Sequence, residues 1–321
     1  FCYNIEPKDN FFYFKEKLEG QRFDNISYAI QRRTEELLTE WVLNGVCQQG
    51  IPNVALSGGV SQNIKANKQI MELDEINNLF VPPATGDESQ SIGAGFIECL
   101  NHHKVEDISP MPHAYLGTTY TDQDVVVALE ADKGNYFVRK ATPVDVAQLM
   151  SDGEVVARFS TDPMEFGPRS LGNRSIIADP RNPEVVHFIN KAVKMRDFWM
   201  PFAPSVLSER ANEYLVNPKG IDGRFMTVGM DSTPIAHKHL NAGLHAFDRS
   251  ARPQIVEKAD NPGFHELISS FEHLTGVGAV LNTSFNIHGE PIVESPADAL
   301  STLRRSGLKH LSIGSWLVSK Q

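Results

Sequence analysis

The 321-residue sequence holds only three cysteines, Cys2, Cys47 and Cys99, widely spaced and odd in number. That excludes a disulfide framework and a zinc-finger pattern and reads as free thiols in a reducing cytoplasm. In that compartment Asn25-Ile26-Ser27, Asn173-Arg174-Ser175 and Asn282-Thr283-Ser284 are chance sequons. No apolar run reaches 18 residues, so no membrane-spanning helix is expected. No Gly-Lys pair occurs, which removes a Walker A loop, and no GxGxxG fingerprint is present. No basic, apolar leader follows Phe1. Cations are scarce as well: 30 Lys plus Arg stand against 40 Asp plus Glu, a formal charge of -10. A broad nucleic-acid surface is therefore not expected, and any anion site must rest on a local basic patch.

What is present reads as a folded chain. Hydrophobic residues make up 41% and charged residues 22%, as in ordinary globular proteins, and the length suggests two domains. Apolar spacing predicts a helix over 25–49, stopped at Gly50. A strand follows at 54–56, running into Ser57-Gly58-Gly59, then a helix near 62–73. A second strand at 79–81 stops at Pro82-Pro83. Residues 89–100 read as a helix packed closely through Gly93, Ala94 and Gly95. Histidines, charges and prolines without periodicity place a boundary near 102–112. Beyond it, Thr142-Pro143-Val144-Asp145 and Ser295-Pro296-Ala297-Asp298 carry the signature of helix capping boxes. The strand–helix alternation gives an α/β class.

Three stretches carry candidate chemistry. Residues 164–181 combine turn-fixing Gly and Pro with arginines. Between Arg158 and Arg210 eight Lys or Arg face six Asp or Glu, a net +2 inside an acidic chain. Guanidinium forks on rigid turns suit phosphate or carboxylate. Ion pairs with Glu165, Asp179 and Asp197 explain the same arginines equally well. The second stretch, Leu281 to Pro291, sets Asn, Thr and Ser just past a small-apolar strand, where α/β sheets bind ligands. A backbone-satisfying turn accounts for it as well. The third, Ser57 to Asn63, puts a glycine pair between strand and helix, which lets a nucleotide approach a helix N-terminus. Asp87, in Gly86-Asp87-Glu88, is placed either to hold a metal or to cap the next helix.

Taken in order, these blocks resemble the ATP-dependent O-carbamoyltransferase family of nodulation-factor and antibiotic biosynthesis. Phe166-Gly167-Pro168-Arg169-x-Leu171-Gly172-Asn173-Arg174-Ser175 and Asn282-Thr283-Ser284-Phe285-Asn286 carry the specificity. Hydrogenase-maturation carbamoyltransferases share the ingredients in the opposite domain order and with zinc fingers. The resemblance implies part of an actin-like domain, similar to the tRNA threonylcarbamoylation ATPases, over 1–108. It implies a YrdC-like domain with a twisted mixed sheet over 109–321. The YrdC-like domain would join carbamoyl phosphate to ATP, giving carbamoyl-adenylate and pyrophosphate. The actin-like domain would pass the carbamoyl group to a small-molecule hydroxyl.

By the same resemblance Arg169, Lys194, Arg196, Asn282 and Ser284 are the catalytic candidates. Gly58, Gly59, Asn63, Asn173, Arg174 and Arg252 are the nucleotide or anion candidates, Arg252 through the Ala251-Arg252-Pro253-Gln254 segment. Asp87 is the one matching metal ligand. ATP and Mg²⁺ are implied. Fe²⁺ is implied only together with a histidine pair from the first half of the actin-like domain, which this sequence lacks. The family resemblance also suggests a homodimer. One departure bears on the donor: Met200 stands before Pro201-Phe202-Ala203-Pro204 where the family has arginine. This leaves a different carboxylated donor and a non-catalytic nucleotide-binding module as competing readings, and the basic concave face of YrdC-like folds leaves an RNA-binding module as a further one.

Overall fold

The computed structural model describes residues 8–132, 134–194, 200 and 202–321. Up to residue 108 it consists of α1 (Asn10–Leu18), α2 (Phe23–Gln49), β1 (Asn53–Ala55), α3 (Ile64–Glu72), β2 (Asn78–Phe80) and α4 (Gln90–His102). Gly50 closes α2 in the left-handed conformation at φ 68°. Strands β1 and β2 pair in parallel. The turns Ser57-Gly58-Gly59 and Gly86-Asp87 therefore leave the same end of the pair. The Gly58 N–H donates to the Thr85 carbonyl at 2.7 Å.

After residue 120 come α5 (Asp122–Ala131), β3 (Tyr136–Lys140), α6 (Pro143–Ser151), β4 (Val156–Phe159), β5 (Arg174–Ala178) and α7 (Glu184–Ile189). Then follow β6 (Ala203–Leu207), α8 (Ala211–Tyr214), β7 (Leu215–Val216), β8 (Asp231–Ser232) and α9 (Ala236–His239). β9 (Gln254–Val256), α10 (Pro262–Thr275), β10 (Ala279–Ser284), α11 (Pro296–Arg305), β11 (His310–Ile313) and β12 (Trp316–Lys320) complete the chain. Both expected capping boxes form, Thr142 with Asp145 and Ser295 with Asp298. A third, Thr121 with Asp124, starts α5.

Eight strands make one mixed sheet in the order β3-β12-β11-β4-β5-β10-β6-β9. Its central strands read as near-continuous apolar runs because both faces are covered. Val156, Ile177 and Val280 join one core with Val146, Met150, Phe264 and Phe271 of α6 and α10. Their chain neighbours Ala157, Ile176 and Leu281 join the opposite core with Val125, Val185, Leu300 and Leu303 of α5, α7 and α11. The period of two thus sends alternate residues into opposite layers.

The first 108 residues share a core with the rest. Val42, Ile70, Met71 and Leu79 pack with Ile221 and Val228. Asn67 Nδ2 donates to the carbonyls of Ser61 and Thr227, each at 2.8 Å. One expectation is corrected here. Helix α4 forms, but it is not closely packed through Gly93 and Gly95. A Cβ at either glycine would meet nothing within 4 Å, and α4 buries none of its residues. Small residues permit close approach, but they supply no partner.

Candidate anion-binding site

The loop between β4 and β5 holds the densest cluster. Gly167 and Gly172 take φ of 109° and 118°, which only glycine adopts without strain. A Cβ on Gly167 would lie 2.7 Å from the Pro83 carbonyl oxygen, and one on Gly172 would strike the Phe264 ring. The loop is pulled tight by Glu165. Its buried Oε1 accepts the backbone N–H groups of Leu171 at 2.8 Å, Asn173 at 2.7 Å and Arg174 at 3.1 Å. Phe166 N donates to Ala114 O at 2.7 Å.

Sheet pairing brings the two distant motifs together. β5 runs antiparallel to β10, with Ser175 opposite Ser284 and Ile177 opposite Asn282. Asn282 sits in a closed polar network. Its Oδ1 accepts from Ser170 Oγ at 3.1 Å, while Nδ2 donates to Ser205 Oγ at 2.9 Å and to Ser170 O and Gln254 Oε1 at 3.2 Å. Gln254 Nε2 and Tyr115 Oη both donate to the Leu171 carbonyl, at 2.7 and 2.8 Å. Burial pushes the Tyr115 phenol well above its usual pKa, so it stays a neutral donor.

The cations differ in what they touch. Arg174 is fully buried, its guanidinium 3.9 Å from the Phe159 ring. Nη1 donates to the carbonyls of Ser160 at 2.6 Å and Asn173 at 3.1 Å. Its Nε and Nη2, and the Glu165 Oε2, have no hydrogen-bond partner among the described residues. Burial draws the Arg174 pKa below the ordinary arginine value, and the nearby Glu165 charge opposes that shift. Half-buried Arg169 is likewise lowered by burial, and no hydrogen bond or ion pair engages it among the described residues. Arg181, by contrast, forms a bidentate pair with Asp179, with contacts of 3.0 and 2.6 Å. The ion-pair reading therefore holds for Arg181 and, among the described residues, fails for Arg169; Asp197 lies outside them. Lys194 is buried and donates to Ser284 O at 2.5 Å, Ser284 Oγ at 3.1 Å and Asn286 Oδ1.

Other candidates fall elsewhere. Asn173 is held by Arg158, Asn261 and the Pro163 carbonyl. Asn63 is the N-cap of α3, accepting from Ala66 N at 3.2 Å and exchanging hydrogen bonds with Gln31. Gly58 and Gly59 are exposed with open space above them. Beside them a cleft of about 380 Å³ is lined by Ser57, Phe80, Ser89, Phe96 and Phe166. Asp87 is exposed and does not cap α4. Its carboxylate accepts from Gln90 Nε2 at 3.3 Å. Arg252 is half-buried beside Ala251, which pairs with Met230. Arg196 lies outside the described residues. Motif reading missed the roles of Glu165, Tyr115, Ser170, Ser205 and Gln254. Glu165 and Gln254 stood inside quoted motifs, whereas Tyr115 carried no signal.

The family described as Carbamoyltransferase C-terminus matches residues 147–320, and Carbamoyltransferase N-terminus matches residues 5–96. The chain belongs to the carbamoyltransferase family. Among relatives, MJ1058 of Methanocaldococcus jannaschii, named as an uncharacterized protein, is 34% identical over 96% of this chain and 50% of its own. Nodulation protein NolO of Bradyrhizobium diazoefficiens is 32% identical, over 94% of this chain and 55% of its own. Nodulation protein NolNO of Sinorhizobium fredii is 33% identical, over 94% and 45%. The chain thus spans about half the length of these relatives. Full-length HypF in its phosphate- and nucleotide-bound form superposes with a TM-score of 0.36 at 14% identity, over 54% of this chain and 22% of HypF. That score is too low to define a shared fold. Among the described residues no helix is long and apolar enough to cross a membrane.

Proposed function

We propose that this chain carries the adenylate-forming chemistry of an ATP-dependent O-carbamoyltransferase, with a YrdC-like unit over 109–321 and part of an actin-like unit over 1–108. Each step balances. Water cleaves carbamoyl phosphate to carbamate and phosphate. A carbamate oxygen then attacks the α-phosphorus of ATP, expelling pyrophosphate and leaving carbamoyl-adenylate. The carbamoyl group finally passes to a hydroxyl of a small acceptor, releasing AMP.

The observation that carries this reading is the Nε–Nη2 edge of buried Arg174, which has no hydrogen-bond partner among the described residues, at the start of β5 just past the loop that carries Arg169. A buried guanidinium edge without a partner is costly unless an anion completes it. Two such cations suit a phosphoryl-rich reaction, in which catalysis is mostly positioning and charge stabilisation. Mg²⁺ enters with ATP. The described residues do not fit an iron site: no three His, Cys, Asp or Glu cluster among them, and Asp87 alone supplies one exposed carboxylate. No step is therefore routed through iron.

Carbamoyl-phosphate-dependent pyrophosphate release from MgATP tests the reading. Met200 favours a second one, in which bicarbonate and an amino acid replace carbamoyl phosphate, because a thioether cannot donate a hydrogen bond to an acyl phosphate. Turnover with that pair and not with carbamoyl phosphate would select it. Under the first reading Met200→Arg raises carbamoyl phosphate affinity.

A further inference from the structure

We propose that Glu165 is a positioning residue that sets the anion-binding edge of Arg174 through its reach rather than through its charge. The inference rests on the reading that Arg169 and Arg174 hold the phosphorylated donor.

Backbone N–H groups of one loop that converge on one point form an anion nest, the device by which many loops grip a phosphate directly. Here the nest is already filled. Glu165 Oε1 takes the N–H groups of Leu171, Asn173 and Arg174 at 2.7–3.1 Å. The loop backbone is therefore spent on an internal carboxylate, and side chains must do the gripping. The same clamp fixes where the Arg174 side chain begins. Phe159 then fixes the plane of the guanidinium, and the Ser160 and Asn173 carbonyls occupy Nη1. What remains is the Nε–Nη2 edge, the side of a guanidinium that binds phosphate or carboxylate in bidentate fashion. One carboxylate oxygen does all the clamping. The other, Oε2, is buried and accepts nothing among the described residues.

Length and charge can be separated. Asp keeps the charge but is shorter by one carbon–carbon bond, about 1.5 Å, too short to reach all three N–H groups. Gln keeps the length and one oxygen acceptor but drops the charge. The test measures binding of carbamoyl phosphate, inorganic phosphate and ATP to the full chain by calorimetry, with melting temperatures for each variant. Glu165→Gln is expected to bind carbamoyl phosphate within about threefold of the unmodified protein, and Glu165→Asp at least tenfold more weakly, with ATP affinity unchanged in both. Weak binding by Gln and normal binding by Asp would overturn the proposal in favour of a charge role. Parallel loss of both ligands in step with melting temperature would overturn it in favour of a merely structural role. If inorganic phosphate separates Asp from Gln while carbamoyl phosphate never binds, the positioning role stands and the donor reading falls. If the unmodified protein binds neither anion, both fall.

Discussion

Ser170 and Asn282 lie 112 residues apart and exchange two hydrogen bonds. The Ser170 hydroxyl donates to Oδ1 at 3.1 Å, and Nδ2 donates to the Ser170 carbonyl at 3.2 Å. The arginine-bearing loop is thereby stitched to a central strand. Asn282 is buried with its amide shared among Ser170, Ser205 and Gln254. Asn282→Ala leaves several buried polar groups unpaired and should cost about 2–4 kcal/mol of stability. Denaturant titration checks this, and a loss under about 1 kcal/mol would mean that the network is replaceable by water.

Arg169 and Lys194 should separate cleanly, because one makes no hydrogen bond or ion pair among the described residues and the other holds the turn after β10. Arg169→Ala is expected to lower pyrophosphate release by about 100-fold or more with stability changed by less than about 0.5 kcal/mol. Lys194→Ala removes donors to Ser284 and Asn286 and should cost about 2–3 kcal/mol besides reducing activity. Paired melting curves and rate assays distinguish the two.

Gly167 joins the anion loop to the segment ahead of Asp87. Gly167→Ala forces a Cβ against the Pro83 carbonyl at a φ of 109°, a strain of roughly 1–3 kcal/mol. The expected result is lower stability together with altered proteolysis near Pro83. An unchanged melting temperature would show that the two segments are free to separate.

Much of this was legible in the sequence. The helix at 23–49, the capping boxes at Thr142 and Ser295 and the β1–β2 turns follow from local spacing and cap chemistry, which act within a few residues. Arg169 and Arg174 were singled out as candidates because they lie in or beside a stretch rich in glycine and proline. The Ser170–Asn282–Gln254 network was not legible, since sheet pairing decides which distant residues meet, and the Glu165 clamp was not, since it depends on how the loop before β5 closes on itself. The Arg181–Asp179 pair, two residues apart, was within local reach, but nothing local separated it from Arg169. The open face of α4 was misread because small residues state what is permitted, not what is there.

Asp145 offers a pH test. The Thr142 hydroxyl and N–H, then Arg139, bind its carboxylate and hold the pKa at about 2, below the unfolded value of about 3.9. A depressed folded pKa stabilises the fold above the unfolded pKa, and that contribution is lost as pH falls through the folded one. The melting-temperature gap between the unmodified protein and Asp145→Asn should stay constant from neutral pH to about pH 5 and close between about pH 4 and 2. A gap independent of pH would remove the carboxylate from this role.

The most direct measurement is pyrophosphate release from MgATP by the full chain, with and without carbamoyl phosphate, beside Arg174→Met. The account predicts release that requires carbamoyl phosphate and disappears in the variant. ATP binding without release, or release that survives loss of the Arg174 guanidinium, would contradict it.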